Sequence, residues 1–186
     1  EIKECDWSSD VCSSDLEDRK GKGLLLRQGL RPNLTLLALS RFGRFLVDEG
    51  KERAALERAV AAFDIRVRDP DVPVSALSGG NQQKLLLAKT MLVEPEILIA
   101  DEPTRGIDVG TKQQIYRFLH GFARQGKAVI LISSEMPEII GLAHRVVVMR
   151  SGTVTGTLAG DALEETEIVR YATGLKGVPA HDVLSA

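Results

Sequence analysis

Apolar residues recur along the chain in two alternating patterns, one with helical spacing and one continuous. In each of two segments, four apolar residues fall at i, i+3, i+4 and i+7, the spacing of a helix with one buried face. They are Leu56, Ala59, Val60 and Phe63 in the first segment, and Ile115, Phe118, Leu119 and Phe122 in the second. Continuous apolar runs predict buried strands at 97–100, 128–132 and 146–149. Buried strands separated by helices predict an α/β fold with a mostly parallel sheet.

Turn and cap residues place further elements between these. Helices are also predicted at 34–39, 85–93, 137–142 and 163–172, and a last strand at 154–158. Pro95 ends the helix at 85–93, and Gly126 is expected just past the helix that contains Phe122. Ser151 and Gly152 predict a tight turn, so the strands on either side of them are expected to form a hairpin. Residues 17–29 are charged and glycine-rich and are expected to be mostly loop.

Composition excludes several classes of function. The chain has 186 residues, 44% of them hydrophobic, and a formal net charge of -2, so it has no basic field of the kind that binds nucleic acid. No apolar run approaches the roughly 20 residues of a membrane-spanning helix. At a membrane we therefore expect a peripheral subunit. Cys5 and Cys12 do not have the spacing of a metal site or of a disulfide framework.

The first sixteen residues differ in character from the rest. They read EIKECDWSSDVCSSDL, repeat the triplet Ser-Ser-Asp, and contain both cysteines and the single tryptophan. No helical or strand period runs through them. The string resembles translated sequencing-adapter sequence, and we hypothesise that it is an artefact fused to a truncated reading frame. The alternative is a natural disordered extension. Resequencing the locus distinguishes the two, because an intact upstream frame without this string supports the artefact.

The first stretch with candidate chemistry is LSGGNQQK at 77–84, directly before a predicted helix. Ser78 is a favourable N-cap, and Gly79 and Gly80 allow the backbone to approach a ligand closely. The N-terminus of a helix attracts phosphate through its unpaired amides and its dipole. Taken alone, however, the same residues also fit a capped helix that merely follows a glycine turn.

The second stretch is EILIADEP at 96–103, where an apolar strand ends in two adjacent carboxylates. Ligands of open α/β sheets bind at the carboxyl ends of the strands. Asp101 is placed to hold Mg²⁺ through water, and Glu102 to polarise an attacking water. A strand that ends in a solvated acidic turn is the alternative.

The order of these stretches resembles the ABC ATPase family. LSGGNQQK is similar to the ABC signature motif, ILIADEP to Walker B with its catalytic glutamate, and RGID at 105–108 to the D-loop. Together with SSEMPEIIG, EDRKGKGLLL and EIVRYATGLKG, they resemble the second nucleotide-binding domain of the tandem ATPases of monosaccharide importers of the ribose, xylose and galactose type. This resemblance covers about residues 17–177. Nucleoside importers are similar but often lack the Asp-Glu pair in this half.

The resemblance implies a fold, a division of the chain and a set of site residues. The fold is the C-terminal portion of a P-loop NTPase (ABC ATPase) domain, with a mostly parallel sheet, helices and a helical subdomain. Residues 1–16 are a leader, 17–76 loop and helical subdomain, 77–177 the ATPase core portion and 178–186 a tail. The implied catalytic residue is Glu102 and the metal ligand Asp101. The implied contacts with ATP are Ser78, Gly79, Gly80, Gln82, Asp108 and Ser134.

Two features depart from the family pattern. No G-x-x-x-x-G-K-[ST] string, the Walker A loop that cradles phosphates, occurs in the sequence. We therefore expect the chain alone to bind MgATP poorly. The switch histidine of the family corresponds to Ser134, and serine can neither titrate nor reach as imidazole does. His120, His144 and His181 do not occupy the switch position.

In the family, two domains pair head to tail, so each ATP lies between one domain's Walker A and the other's signature motif. Ser78, Gly79 and Gly80 are thus expected to act on ATP held by an upstream domain, with Mg²⁺ as the second cofactor. Expected partners are that domain, transmembrane permease subunits and, indirectly, a periplasmic sugar-binding protein, at the cytoplasmic face of the membrane. The alternatives are a nucleoside-type importer ATPase, a soluble ABC ATPase of translation or DNA repair, and an inert fragment.

Overall fold

A computed structural model describes residues 11–15, 23–43 and 45–176, the first of these ranges for its backbone alone. The helices and strands follow one another in an alternating order that matches the sequence pattern. They are β1 Val11–Asp15, α1 Leu30–Thr35, α2 Glu49–Ala62, α3 Gly79–Met91, β2 Ile97–Asp101, α4 Val109–Arg124, β3 Ala128–Ile132, α5 Met136–Leu142, β4 Arg145–Arg150, β5 Thr153–Ala159 and α6 Glu165–Thr173.

A parallel sheet of three strands, in the order β1-β2-β3, positions the acidic end of β2. Its register pairs Asp101 with Asp15 on one side and with Ile132 on the other, so β2 is the central strand. Leu98 and Ala100 of β2 are fully buried. By contrast, β3 is an edge strand with apolar residues on an open face, where Ile130 is 50% and Ile132 48% exposed.

The strand β1 was not expected from the sequence, because no strand period runs through the first sixteen residues. The structure has a strand at Val11–Asp15, inside the segment expected to be a non-native or disordered leader. Parallel pairing joins backbone N–H and C=O groups and requires no alternation of side chains. A central apolar strand with an unpaired edge therefore accepts a neighbour of almost any sequence. The proposed foreign origin of residues 1–16 is a separate question and stays a prediction.

The helix predicted at 34–39 begins earlier and is tighter than expected. The α-helix covers Leu30–Thr35, and a 3₁₀ helix continues it over Leu36–Arg41. Pro32 lies in the first turn, where its missing N–H costs no helical hydrogen bond. The helix predicted at 85–93 likewise begins earlier, at Gly79.

The other predicted elements are confirmed to within a few residues at their ends. Asp48 caps α2 by accepting a hydrogen bond from the Lys51 amide, so this helix starts about two turns before the apolar pattern. Gly126 follows the end of α4 with a φ of 83°, a left-handed conformation that glycine adopts without strain. Both helix ends are therefore set by local chemistry that is readable in the sequence.

The chain divides into two compact units, one ending at Ile132 and the other beginning at Ser133. The first unit has a buried core of leucines from α1 and α3, among them Leu30, Leu34, Leu85 and Leu87. The boundary predicted at 76/77 between helical subdomain and core lies inside this unit and does not separate compact bodies.

The second unit is built on the predicted hairpin. Strands β4 and β5 pair antiparallel and pack on α6 through Val146, Val148, Leu158 and Ile168. A side chain at Gly156 would collide with the Tyr171 ring, so glycine permits the close approach of α6. Within the described residues of both units, no helix is long and apolar enough to cross a membrane.

Candidate functional site

The signature helix α3 begins with the geometry of a phosphate-binding terminus. Ser78 is its N-cap, with extended φ and ψ of -61° and 155°, and its Oγ accepts from the Asn81 amide at 3.4 Å. The Gln82 amide makes the first intrahelical bond, to the Ser78 carbonyl at 2.9 Å. Helix geometry provides no intrahelical acceptor for the amides of Gly79 and of the buried Gly80, and unpaired amides at the start of a helix favour an anion. Ser78 itself is exposed, as a ligand-contacting residue must be.

Gln82 has a different place from the one expected of a nucleotide contact. It is buried, and its side-chain amide donates to the carbonyls of Val74 and Leu77 at 3.1 Å each. Both bonds hold the turn that leads into the signature motif, and the ATP contact implied for Gln82 stays a prediction. Its Oε1 has no hydrogen-bond partner among the described residues.

Asp108 and the signature motif meet through one threonine. The Asp108 carboxylate caps α4, accepting from the Thr111 amide at 3.0 Å and from its hydroxyl at 2.8 Å. These two bonds, the amide first, lower the pKa of Asp108. A Cβ built on Gly80 would stand 2.7 Å from Thr111 Oγ1, so only glycine lets the two helix starts pack this closely.

A polar cavity of about 250 Å³ lies where the N-terminal ends of α3 and α4 meet. Its lining includes Ser78, Asn81, Asp108 and Thr111, together with the cations Arg66 and Lys84. Two helix N-termini and two cationic side chains around one cavity favour an anionic group. The structure thus brings Ser78 and Asp108 to one cavity, with Gly80 packed against Thr111 beside it.

The wall of this cavity is braced by a buried lysine. Lys84 Nζ donates to the backbone carbonyl of Asp64 at 2.7 Å and approaches its carboxylate at 3.3 Å. Gln114 of α4 donates to the same carboxylate at 3.2 Å. The Gln114 hydrogen bond, then the Lys84 hydrogen bond and charge, lower the pKa of Asp64. Asp64 therefore joins the signature helix to α4 through an ionised carboxylate.

The acidic pair stands at the end of β2, and neither residue lines the cavity. Asp101 is the last residue of the strand, and Glu102 follows with a φ of 45°. A left-handed conformation is costly for a residue with a side chain and marks a backbone held by its surroundings. One such restraint is the Glu102 amide, which donates to the Ile132 carbonyl at 2.8 Å and extends the pairing with β3.

Asp101 fits the requirements of Mg²⁺ in a nucleotide site. The described residues contain no cluster of three or more His, Cys, Asp or Glu that would hold an ion alone. Mg²⁺ in phosphate-transfer sites instead takes one or two carboxylates and completes its shell with water and phosphate oxygens. A single half-buried carboxylate at a strand end suits that mode of binding.

A glutamine connects the two sites. Gln83 is 1% exposed, and its side-chain amide donates to the Pro103 carbonyl at 2.8 Å. Pro103 follows Glu102 directly, so this bond links the acidic turn to the first turns of α3. Three side chains of the NQQK run thus bond to backbone carbonyls of separate loops. They are Gln82, Gln83 and Lys84.

Ser134 belongs to the second unit and is exposed. Its neighbour Ser133 is held on both sides, since Ser133 Oγ bonds the buried Glu138 carboxylate and accepts from the Glu135 amide at 3.0 Å. The loop that carries the switch position is therefore anchored by its own residues.

Sequence reasoning missed five residues that shape the site: Asp64, Asn81, Gln83, Lys84 and Thr111. Polar residues inside the NQQK run carried the available signal for three of them, because a helix that buries glutamine and lysine must also provide their partners. Nothing in the sequence marked Asp64 or Thr111, which act across 20 and about 30 residues of chain.

Comparison with known proteins decides the family. A protein-family profile described as ABC transporter matches residues 8–105, just over half of the chain, including the signature motif and the acidic pair. The chain belongs to the ABC transporter family. Solved structures of the family agree in fold: the ATP-binding cassette MJ0796, described as dimeric, in a post-hydrolysis state and bound to ADP and Pi, matches with a TM-score of 0.67 at 19% identity. It covers 82% of this chain and 63% of that one.

Several ABC family relatives are named for sugars. The ribose import ATP-binding protein RbsA of Geobacillus kaustophilus is 45% identical over 159 residues, 85% of this chain and 32% of that protein. The L-arabinose transport ATP-binding protein AraG of Geobacillus stearothermophilus is 45% identical over 84% of this chain and 31% of its own length. The xylose import ATP-binding protein XylG of Brucella abortus (strain 2308) is 41% identical over 85% of this chain and 31% of its own length. The chain therefore spans about a third of the length of these relatives.

Proposed function

We propose that this chain is the signature-bearing portion of an ATPase subunit that energises import of a monosaccharide. Its signature motif acts on ATP held by the Walker A loop of another domain. The observation that carries the proposal is the cavity lined by Ser78, Asn81, Asp108 and Thr111 at the start of α3, in a chain with no Walker A string of its own. A domain that offers a signature motif but no Walker A loop is suited to completing an ATP site whose Walker A loop belongs to another domain.

At this half-site the protein groups bind and orient the terminal phosphate of ATP. The Gly79 and Gly80 amides and the Ser78 hydroxyl supply donors, and the α3 dipole favours the negative charge. Asp108 keeps α4 against Gly80 through Thr111, which fixes the depth of the site. Closing such a site excludes water and strengthens each of these interactions.

The acidic pair serves a second half-site. There Asp101 holds Mg²⁺, which neutralises phosphate charge when bound, and Glu102 orients the attacking water. Ser134 stands where the family has its switch histidine and cannot replace it as a proton-sensitive group. We therefore propose that this half-site contributes less to turnover than the one completed by Ser78.

The proposed substrate class is a monosaccharide. Relatives named for ribose, L-arabinose and xylose each match most of the chain at 41–45% identity. The Asp101–Glu102 pair, often lacking in the corresponding half of nucleoside importers, favours sugar over nucleoside.

A patch of exposed apolar side chains supports a permease partner. It surrounds the 3₁₀ helix that precedes α2, and Phe45 and Leu46 are 91% and 87% exposed. The patch comprises Leu36, Leu37, Leu39, Phe45, Leu46 and Val47. Exposed apolar patches of this kind mark protein interaction sites. We propose that a permease loop docks here, which places the subunit at the cytoplasmic face of the membrane.

A hybrid protein tests the function. Residues 17–186 replace the matching segment of the Geobacillus kaustophilus protein, and the hybrid is reconstituted with that protein's permease and binding protein. ATP-dependent uptake of a labelled pentose, abolished by omitting the permease, is the expected result. Uptake of nucleosides alone, or ATP hydrolysis with no response to the permease, would contradict the sugar-import proposal. A hybrid that binds no ATP would favour an inert fragment.

A further inference from the structure

The orientation of the Asn81 carboxamide follows from its backbone partner. The Arg66 amide can only donate, and it lies 2.8 Å from one atom of the Asn81 head group, which must therefore be Oδ1. The amide nitrogen then faces Ser78 and donates to Ser78 Oγ at 2.9 Å. Rotating the Asn81 carboxamide by 180° would place its NH₂ group against the Arg66 amide, so that two donors would face each other.

This orientation determines what the Ser78 hydroxyl can do. A hydroxyl oxygen accepts two hydrogen bonds and donates one. Asn81 offers two donors to it, the side-chain amide at 2.9 Å and the backbone amide at 3.4 Å. With its accepting positions occupied by Asn81, the exposed Ser78 hydroxyl keeps its proton for a ligand.

We infer that Asn81 is a positioning residue that fixes the Ser78 hydroxyl as a hydrogen-bond donor toward the bound phosphate. The anchor for this arrangement is the segment after α2. Its Arg66 amide holds Oδ1 of Asn81, while Asp64 of the same segment is tied to Lys84 and Gln114. The role in turnover rests on the proposed function, whereas the hydroxyl orientation itself does not.

The isosteric change Asn81→Asp isolates this effect. One carboxylate oxygen can still accept from the Arg66 amide, so the link to the segment survives. The other oxygen faces Ser78 and can only accept, so the hydroxyl turns its proton inward and is lost as a donor to phosphate. The added charge is matched by Gln113→Glu, at an exposed position on α4.

The first measurement uses the chain itself and needs no nucleotide. Side-chain amide resonances of Asn81 are assigned in ¹⁵N-labelled protein by their disappearance in Asn81→Asp. Ser78→Ala should shift them, and Ser75→Ala, at an exposed serine on the preceding turn, should leave them in place. If Ser78→Ala leaves the chemical shifts of the Asn81 side-chain amide unchanged, the inferred orientation is wrong.

The second measurement is a double-mutant cycle on ATP hydrolysis by the hybrid. Ser78→Ala and Asn81→Asp should each lower kcat by about 10- to 100-fold, the size of one hydrogen bond to a charged group, with KM changed far less. The double variant should be no slower than Ser78→Ala alone, and Gln113→Glu should stay within about twofold of the parent, as expected for a surface change. If the loss of kcat in the double variant equals the product of the two single losses, or if Asn81→Asp has no effect on kcat, a role through Ser78 is refuted. An inactive parent hybrid would count against the proposed function, and the resonance test would still decide the orientation.

Discussion

The signature region and the acidic end of β2 each carry a sequence motif of the family. The two regions differ in how far neighbouring residues of the chain surround them. Around the signature, Asn81, Gln82, Gln83 and Lys84 all find partners among neighbouring loops. At the acidic end, the supporting strand β3 is an edge with half-exposed isoleucines. In the first region the polar side chains bond to neighbouring segments, whereas the second lies beside a strand with a half-exposed apolar face.

This difference teaches which motif can be read from local sequence alone. A capped helix satisfies its polar groups within a few residues, so its geometry is set mainly by local sequence. A strand end takes its environment from neighbours that are distant in sequence. The two halves should therefore respond differently to the same kind of substitution.

The largest difference is expected from charge placed at the phosphate receptor. Gly79→Asp puts a carboxylate beside the free amides of α3, where it repels phosphate and fills its space. In the hybrid, we expect ATP-driven transport to fall to background, while Glu102→Gln leaves a measurable fraction, because it affects the half-site without the switch histidine. Equal losses in an ATPase assay of the two variants would remove the proposed ranking.

The contact between α3 and α4 should be the next most sensitive feature. Gly80→Ala forces a methyl group against Thr111, whose hydroxyl is already committed to Asp108. Overpacking of this kind costs about 1–3 kcal/mol, measured by chemical unfolding of the chain. Gly121→Ala on α4 is the matched control, because its Cβ meets nothing within 4 Å. It should stabilise the helix by about 0.5–1 kcal/mol, and a similar loss in both variants would show that the Thr111 contact is unimportant.

The open edge of β3 should govern the solubility of the chain. Ile130→Lys places a charge on the half-exposed apolar face, and charges on edge strands oppose pairing between copies. We expect less light scattering by the purified chain at a given concentration. The same substitution in the hybrid should impair folding if further protein covers this face, and a hybrid that tolerates it would show that the face stays open.

The smallest expected effect is a change in acid sensitivity. The pKa of Asp64 is lowered, so the stability it contributes is present above its unfolded value of about 3.9 and is lost as the pH falls through the folded value. Gln114→Ala removes the largest cause of the lowering and should make the loss of stability below about pH 4 shallower. Its exposed neighbour Gln113→Ala should leave the curve unchanged, and identical curves for parent and Gln114→Ala would contradict the assignment.

Most of the fold could be predicted from the sequence, since apolar periodicity and caps are local signals. Asp48, Asp108 and Gly126 set helix ends within a few residues of their own positions. The motif residues Ser78, Gly80 and Asp108 could also be named from the sequence, but their meeting through Thr111 could not. The strand at Val11–Asp15 could not be found, because backbone pairing with β2 leaves no mark on side-chain pattern. The role of Gln82 in holding the turn at Val74 and Leu77 could not be found either, because its partners are set by the path of the turn.

The most direct test asks whether the signature motif works on nucleotide that the chain does not hold. ATP hydrolysis is measured for the purified chain, for the remainder of the Geobacillus kaustophilus protein without its matching third, and for their mixture. The account predicts background activity for the chain alone and a saturable increase in the mixture that Gly79→Asp abolishes. Hydrolysis by the chain alone, or an increase that survives Gly79→Asp, would contradict it.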